Sequence, residues 1–196
     1  TRQIVEAIAQ HDPRVVLVPM GRNGGAYVAR NRGMSLATGR YVTVHDADDW
    51  SHPQKIETQL KCLRANPQAK GVLSHWVRMR PDLYAEGYWR PDKNVVSLNQ
   101  SSLLFPRELL QQTGSWDNVR VGADNEFIFR FKRLYGEDAI VETDRMLPLS
   151  LGLVRDESLT RQSATNVRTV FHGLRKDYRR SSRRWQSKSE NSAAMH

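Results

Sequence analysis

The sequence predicts an α/β fold in which helices flank a largely parallel sheet. Helical and strand patterns alternate along the first half of the 196 residues, as they do in chains that form parallel sheets. The composition, 39% hydrophobic and 26% charged residues, is typical of a globular chain long enough to bury one sizeable core. No run of 18 or more apolar residues occurs, so these residues encode no transmembrane helix.

In the first half, local signals predict short elements. β-branched runs indicate buried strands, Pro53 opens a helix, and the Asn66–Pro67 pair ends it. The predicted elements are a helix over 2–10, a strand over 15–18, a glycine-rich turn over 21–25, a helix over 26–37, a strand over 41–44 and a helix over 53–65.

The second half is less regular. Its clearest element is a helix over 124–134, because four apolar residues of that segment share one face. The other predicted elements are strands over 72–79, 101–105, 140–141 and 147–154, a short helix over 106–112 and a basic helix over 167–185. We expect one domain over 1–160, a basic helical extension over 161–185 and a disordered tail over 186–196.

The basic charge of the chain is concentrated in its last part. Residues 161–196 hold nine Lys or Arg and two acidic residues, so this segment carries seven of the nine net positive charges. Few aromatic residues interleave them, so we expect no nucleic-acid partner. Apolar residues at i, i+3, i+4 and i+7 from Val167 to Leu174 predict that the first turns dock on the domain. The residues after Leu174 are expected to project, and either to bind an anionic membrane or to form a solvated face.

An acidic turn follows the predicted strand over 41–44. The segment YVTVHDADDW brings Asp46, Asp48 and Asp49 together. Clustered carboxylates repel one another unless a cation neutralises them, and Mg²⁺ or Mn²⁺ takes one or two carboxylates together with substrate phosphates. The segment therefore predicts a metal site that faces a phosphorylated ligand. The alternative is a strand-to-helix turn in which Asp49 or Ser51 caps the next helix.

A second acidic pair, Asp124 and Glu126, opens the helix over 124–134. Asp124 is either a catalytic carboxylate or the N-cap of that helix, and residue spacing alone leaves both alternatives open. Trp116 lies shortly before it and could either stack on a sugar or pack in the core.

Several segments resemble bacterial family 2 glycosyltransferases, which are inverting enzymes with the GT-A fold. The family pattern N-x-G-x-x-x-A-R-N-x-G, followed by A-x-G-x-Y and D-x-D-D, matches NGGAYVARNRGMSLATGRYVTVHDADDW over 23–50. Farther on, GSWD, GADNEFIFR and LVRDESLT are similar to the family's later segments. The resemblance covers roughly residues 1–160 and implies a metal-dependent transferase that moves a sugar from a nucleotide-diphospho-sugar to a carbohydrate or lipid-linked acceptor.

The resemblance also implies residue roles. Asp48 is the main metal ligand, Asp46 approaches both metal and donor, and Asp124 is the general base. Trp116 and Glu126 bind the acceptor. The residues that the resemblance implies for donor binding are Arg22, Asn23, Gly24, Arg30, Asn31 and Arg155. The alternative for Arg30 and Asn31 is that they are polar-face residues of their helix.

Two departures from the family pattern matter. Arg155 stands where relatives carry a closing histidine; it can neutralise a diphosphate but cannot bind a metal. The family's first strand–helix–strand unit, which binds the nucleotide base, is missing before Thr1, so we expect an N-terminally truncated domain. A non-catalytic sugar- or nucleotide-binding domain is the alternative.

The single cysteine, Cys62, suits a cytoplasmic protein, and the basic tail would bring it to the inner face of a bacterial membrane.

Overall fold

A computed structural model of the chain describes residues 2–86, 94–155, 158 and 161–188. The α-helices of these residues are α1 (Arg2–His11), α2 (Ala26–Leu36), α3 (Lys55–Ala65), α4 (Leu110–Thr113), α5 (Ala123–Tyr135) and α6 (Leu174–Lys188). Short 3₁₀ turns cover Arg107–Leu109, Glu137–Ala139, Ser163–Thr165 and Val167–Val170. The strands are β1 (Tyr41–Val42), β2 (Trp50–Ser51), β3 (Gly71–Met79), β4 (Val96–Pro106), β5 (Ile140–Glu142) and β6 (Ser150–Leu153).

The strands form one mixed sheet with β3 at its centre. The order is β1-β4-β3-β6-β2, and β5 also pairs with β3. β5 and β6 run parallel to successive parts of β3, whereas the β3–β4, β1–β4 and β2–β6 pairs are antiparallel. The α/β fold is confirmed, but the expectation of a largely parallel sheet is corrected. β3 and β4 follow each other in the strand sequence and pair antiparallel, whereas a parallel pair of consecutive strands requires a crossover connection.

The predicted elements of the first half hold with two changes. The predicted strand over 15–18 is wrong, because these residues form no strand and Val16 is 74% exposed. The strand over 41–44 shortens to β1, which lies at the end of the strand order. The acidic turn still follows the C-terminal end of β1. The shorter strand therefore leaves the predicted order of strand and carboxylates unchanged.

The core consists of two layers on opposite faces of the sheet. On β4, Leu103 and Phe105 face α5, where Phe105 lies 5.6 Å from both Phe127 and Phe131 between ring centroids. Leu104 faces the other side and packs with Leu63 of α3. This alternation follows from the two-residue period of a strand. α5 therefore packs on the face of the sheet to which Leu103 and Phe105 of β4 point.

The C-terminal extension reverses the predicted arrangement. Phe171 and Leu174 are 59% and 49% exposed, so they do not form a docked apolar face. Instead α6 packs along α5. The Tyr178 ring lies against Gly122, where an added Cβ would stand 3.1 Å from Tyr178 Cδ1, and Gln186 is fully buried. Polar and aromatic anchors, rather than the apolar spacing, fix this segment.

The helix α6 also runs three residues beyond the predicted boundary at 185. The rest of the predicted disordered tail, residues 189–196, lies outside the described residues. Within the part of the chain that the structure describes, no helix combines the length and the apolar character needed to cross a membrane.

Candidate functional site

A cleft of about 1060 Å³ lies over the sheet beside the acidic turn. It is lined by one end of α2, the turn after β1, parts of β3 and β4, the start of α5 and one face of α6. Its polar lining residues include Tyr27, Arg30, Asp46, Asp48, Asp49, Arg78, Ser101, Asp124, Arg175, Arg179 and Arg183. Both acidic motifs therefore face one cleft, which the sequence alone left open.

Arg30 joins the two acidic motifs. Its Nη1 donates to Asp124 Oδ1 at 2.7 Å and its Nη2 donates to Asp46 Oδ1 at 2.5 Å. The side chains of Arg30 and Asp124 are 11% and 16% exposed, and that of Asp46 is 36% exposed. Charge-assisted bonds of a planar guanidinium to two carboxylates fix both acids in direction. The spacing of Asp46 and Asp124 across the cleft is thus set by one side chain.

The start of α2 brings Arg30 and Tyr27 to this position. Gly25 precedes the helix with φ +88°, a conformation that glycine adopts without strain. Asn23 Oδ1 accepts the Gly25 N–H at 3.0 Å and holds the turn. Tyr27 and Arg30 are three residues apart and share a helix face. The Tyr27 hydroxyl donates to Asp124 Oδ2 at 2.9 Å, so both carboxylate oxygens of Asp124 have a partner.

Asp124 lies in the first turn of α5, and it is not the N-cap. Gly122 holds that place in a left-handed conformation with φ +90°. Burial raises the pKa of Asp124 above its ordinary value, although Arg30 and the Tyr27 hydroxyl act in the opposite direction. A carboxylate of raised pKa is a better proton acceptor near neutral pH. Asp124 therefore does not cap α5, and its partly exposed carboxylate lines the cleft.

The acidic turn has the charge pattern of a cation site. Asp48 is exposed to the cleft. Burial, and then the negative charges of Asp46 and Asp48, raise the pKa of Asp49 to about 6. The N-cap of α3 is Gln54, so neither Asp49 nor Ser51 caps that helix. Arg30, Lys55 and Arg78 bring positive charge to the cluster. The oxygens of the exposed Asp48 are nevertheless donors of the kind that Mg²⁺ and Mn²⁺ prefer.

Among the described residues, no group of three or more His, Cys, Asp or Glu side chains is arranged to hold a metal ion. A hard cation held by one or two carboxylates and completed by phosphates does not require such a group. Asp48 is open to such a ligand, and Asp46 has one oxygen outside its bond with Arg30. The residues present thus fit a Mg²⁺ or Mn²⁺ ion that binds together with a diphosphate.

The structure corrects three predicted ligand-binding residues. Trp116 is 4% exposed and stacks on Phe127 at 4.8 Å, so it offers no face to a sugar. Glu126 is buried and bonds to Arg130 and Gln186, which occupy its two oxygens. Asn31 uses its amide oxygen and nitrogen on the Trp116 backbone. Arg130 follows Glu126 by four residues on α5, so sequence spacing could have indicated this pair. The other partners come from different segments, which sequence spacing cannot identify.

Four other predicted donor-binding residues are exposed and do not line the cleft. Arg22, Asn23 and Gly24 lie in the loop before α2, and Arg155 follows β6, where its backbone N–H donates to Ser158 Oγ. Their assignment to the donor stays a prediction.

The sequence reasoning missed several residues of the cleft. Tyr27 carried a signal, because it precedes Arg30 by three residues on a predicted helix. Arg78 enters from β3, and burial lowers its pKa while Asp49 opposes that effect. Three arginines of α6 were assigned to a projecting tail and instead line the cleft; they are Arg175, Arg179 and Arg183. No sequence pattern indicated that α6 folds back along α5.

Comparisons with known proteins agree with the motifs. The model of the family described as glycosyl transferase family 2 matches residues 1–123. The putative teichuronic acid biosynthesis glycosyltransferase TuaG of Bacillus subtilis is 41% identical over 61 residues, 31% of this chain and 24% of that protein. The succinoglycan biosynthesis protein ExoO of Rhizobium meliloti is 39% identical over 61 residues, 31% of this chain and 17% of that protein. The matched part is thus under a quarter of each of these two relatives.

Solved structures show a similar fold. TarS 1–349 of S. aureus in complex with UDP has a TM-score of 0.56 at 15% identity, over 93% of this chain and 56% of that chain. Glucosyl-3-phosphoglycerate synthase of Mycobacterium tuberculosis, in complex with Mn²⁺ and UDP-glucose, has a TM-score of 0.51 at 19% identity, over 83% of this chain and 56% of that chain. The chain therefore spans about half the length of these structures and has their α/β architecture of helices flanking a mixed, curled sheet.

Proposed function

The chain belongs to glycosyl transferase family 2, and on that premise we propose that it transfers a sugar from a nucleotide-diphospho-sugar to an acceptor hydroxyl with inversion at the anomeric carbon. The observation that carries the proposal is the Arg30 bridge between Asp46 and Asp124. This bridge links Asp46, from the motif proposed to bind the donor, to Asp124, the proposed base, across one cleft. An ion pair with a purely structural role does not require Asp48 to be exposed and Asp124 to be partly exposed in the same cleft.

Asp124 is the proposed general base. It takes the proton of the acceptor hydroxyl while the hydroxyl oxygen forms a bond to the anomeric carbon. The bond between that carbon and the donor's diphosphate oxygen breaks on the opposite face, and the diphosphate leaves with the electron pair. One displacement of this kind inverts the configuration, and its transition state has oxocarbenium character.

Tyr27 and Arg30 position the base. The Tyr27 hydroxyl and the Arg30 guanidinium each hold one oxygen of Asp124, so the remaining lone pairs point in fixed directions. A positioned base of this type needs no reorganisation when the acceptor arrives. Arg30 also keeps Asp124 ionised against the effect of burial, which would otherwise favour the protonated, inactive form.

Asp48 and Asp46 would hold a Mg²⁺ or Mn²⁺ ion, which supplies positive charge to the departing diphosphate when it is bound. The crystallised synthase relative bound Mn²⁺ with UDP-glucose and the TarS relative bound UDP, which supports a uridine nucleotide as the first donor to test. The names of the TuaG and ExoO relatives concern polysaccharide biosynthesis. These names support a proposed role in bacterial surface polysaccharide or glycoconjugate synthesis, and we propose that the reaction takes place in the cytoplasm.

We expect UDP together with Mn²⁺ to stabilise the protein, expressed from its full reading frame, more than either alone. At a ligand concentration of about 100 times Kd the rise in melting temperature should be roughly 5–10 °C. Asp48→Asn should remove most of that rise, since it deletes a charge from the proposed cation site. Differential scanning calorimetry measures the effect.

Asp144→Asn is the matched control, because Asp144 is an exposed carboxylate that does not line the cleft. An equal rise in Asp48→Asn and in the unmodified protein would contradict the proposed metal site. A rise without any UDP-glucose hydrolysis or transfer to a panel of acceptors would favour the alternative, a non-catalytic nucleotide-binding domain.

We also propose that the exposed side of α6 associates with an anionic membrane, where lipid-linked acceptors lie. Four basic residues recur every fourth position on this side and do not line the cleft. We call them the outer row; they are Lys176, Arg180, Arg184 and Lys188. Basic residues near an anionic surface each contribute about 1 kcal/mol, and salt screens the attraction.

The doubly substituted variant Arg180→Gln/Arg184→Gln should reduce co-sedimentation with phosphatidylglycerol vesicles. A loss of about 2 kcal/mol corresponds to roughly a thirtyfold lower partition constant at low salt. Neutral phosphatidylcholine vesicles and high salt serve as controls. Equal binding to anionic and neutral vesicles at low salt would leave the outer row as a solvated face and reject the membrane association.

A further inference from the structure

The cleft-facing side of α6 carries its own row of arginines. Arg175, Arg179 and Arg183 are four residues apart and all three line the cleft that contains Asp124. We call them the cleft row. With a rise of 1.5 Å per residue, the row extends about 12 Å along the helix, with successive Cα atoms about 6 Å apart. Repetition of one long basic residue along one face forms a continuous strip of positive charge.

The helix that carries this row is fixed to the site. The Tyr178 hydroxyl donates to Asp117 Oδ2, and the Gln186 amide donates to Glu126 Oε1. The Arg183 guanidinium lies 4.9 Å from the centroid of the Phe129 ring on α5. Contacts at both ends of α6 therefore hold the row against the helix that begins with the proposed base.

The charge of the cleft row is left open to a ligand. Among the residues that the structure describes, none of the three arginines forms an ion pair with a carboxylate. Two of them donate to neutral groups: Arg175 Nε donates to Thr165 O at 3.0 Å, and Arg179 Nη2 donates to Val170 O at 3.3 Å. Guanidinium groups have several donors each, so most remain available for an anion.

Arg175 marks the end of the row nearest to the proposed base. Burial lowers its pKa, while the negative charge of Asp124 acts against that effect. Arg179 and Arg183 are exposed and continue the row along α6. An acceptor bound along it could keep one hydroxyl at Asp124 and an anionic group several ångströms away.

We propose that the acceptor carries a phosphate group and that the cleft row binds it. This inference rests on the proposed function and adds the chemical class of the acceptor. Phosphate suits the row because a guanidinium donates two parallel hydrogen bonds to its oxygens. The donor's diphosphate belongs to the other side of the cleft, at Asp46 and Asp48, where the proposed cation neutralises it. The two phosphate sites are therefore separable by substitution.

The test uses glycerol 3-phosphate as a soluble probe and phosphatidic acid vesicles as a membrane-bound probe, at constant ionic strength. Binding of the full reading-frame protein is followed by ³¹P NMR for the first and by co-sedimentation for the second. The variant Arg179→Gln/Arg183→Gln should raise the dissociation constant for glycerol 3-phosphate about tenfold or more, because each arginine supplies charge-assisted bonds. A loss of vesicle co-sedimentation in this variant that exceeds the loss in the outer-row variant Arg180→Gln/Arg184→Gln would identify a lipid-linked phosphate, and a loss confined to glycerol 3-phosphate would identify a soluble one.

The control variant is Arg180→Gln/Arg184→Gln. It has the same residue type, spacing, exposure and change in net charge, but belongs to the outer row. It should leave glycerol 3-phosphate binding unchanged, and neither variant should alter the stabilisation by UDP and Mn²⁺. Equal losses of glycerol 3-phosphate affinity in the two double variants would show general charge attraction and overturn the proposal. The absence of saturable binding of either probe would overturn it as well. Failure of UDP and Mn²⁺ to bind would instead refute the proposed function.

Discussion

Asp124→Asn, made in the full reading frame, is expected to lower the rate of sugar transfer by about 10²- to 10⁴-fold, the usual effect of losing a general base. An amide is nearly the same size as the carboxylate, but it cannot accept the proton of the acceptor hydroxyl. Steady-state kinetics should show the loss in kcat. Calorimetric binding of UDP with Mn²⁺ should persist, because the proposed cation ligands are Asp46 and Asp48.

Asp138→Asn is the control for this variant, because Asp138 is exposed beyond the other end of α5. It should retain normal kcat and donor binding. If Asp124→Asn loses donor binding in parallel with activity, Asp124 acts on the metal or on the fold and the proposed role as base is wrong.

Arg30→Gln is expected to have the largest effect on stability. The substitution leaves Asp124, whose side chain is 16% exposed, without its charged partner, and loss of one partner of a largely buried ion pair costs about 3 kcal/mol. Asp46 contributes less to this cost, because it is 36% exposed and water screens its charge. The melting temperature should fall by roughly 6–12 °C for a chain of this size. Arg32→Gln, an exposed position on the same helix, should leave it nearly unchanged.

The pH dependence of Arg30→Gln identifies the cause. Without Arg30 the pKa of Asp124 rises further above its ordinary value of 3.8. Between 3.8 and the folded pKa, the folded state holds a proton that the unfolded chain has released, so stability falls as pH rises. The deficit relative to the unmodified protein should therefore be smallest below pH 4 and grow towards neutral pH. A deficit independent of pH would indicate lost packing instead of an unpaired carboxylate.

The sequence predicts best where its signals are local. The helix over 124–134 corresponds to α5, because its apolar face is set by neighbouring residues and needs no distant partner. The strand over 72–79 corresponds to β3 for the same reason. The acidic turn was placed at the end of β1 and does face the cleft, since carboxylates after a strand have few other places to lie.

The errors concern distant partners. Trp116 was assigned to a sugar because an aromatic residue near a proposed site has an apolar face to offer, but Phe127 covers that face. The apolar spacing from Val167 to Leu174 favoured docking of the wrong turns, because the polar partners of Tyr178 and Gln186 lie about 60 positions away. Pairing direction in the sheet also depends on which strands become neighbours, and composition does not specify that.

The bond between Glu126 and Gln186 has a consequence for synthesis of the protein. Glu126 and Arg130 are made long before Gln186, which follows Glu126 by 60 residues. Translation at about 5–20 residues per second delays the third partner by roughly 3–12 s. During that interval α5 can form on the ribosome while the face that α6 later covers is open to water. The wall of the cleft that carries the arginines is thus the last part of the described chain to be completed.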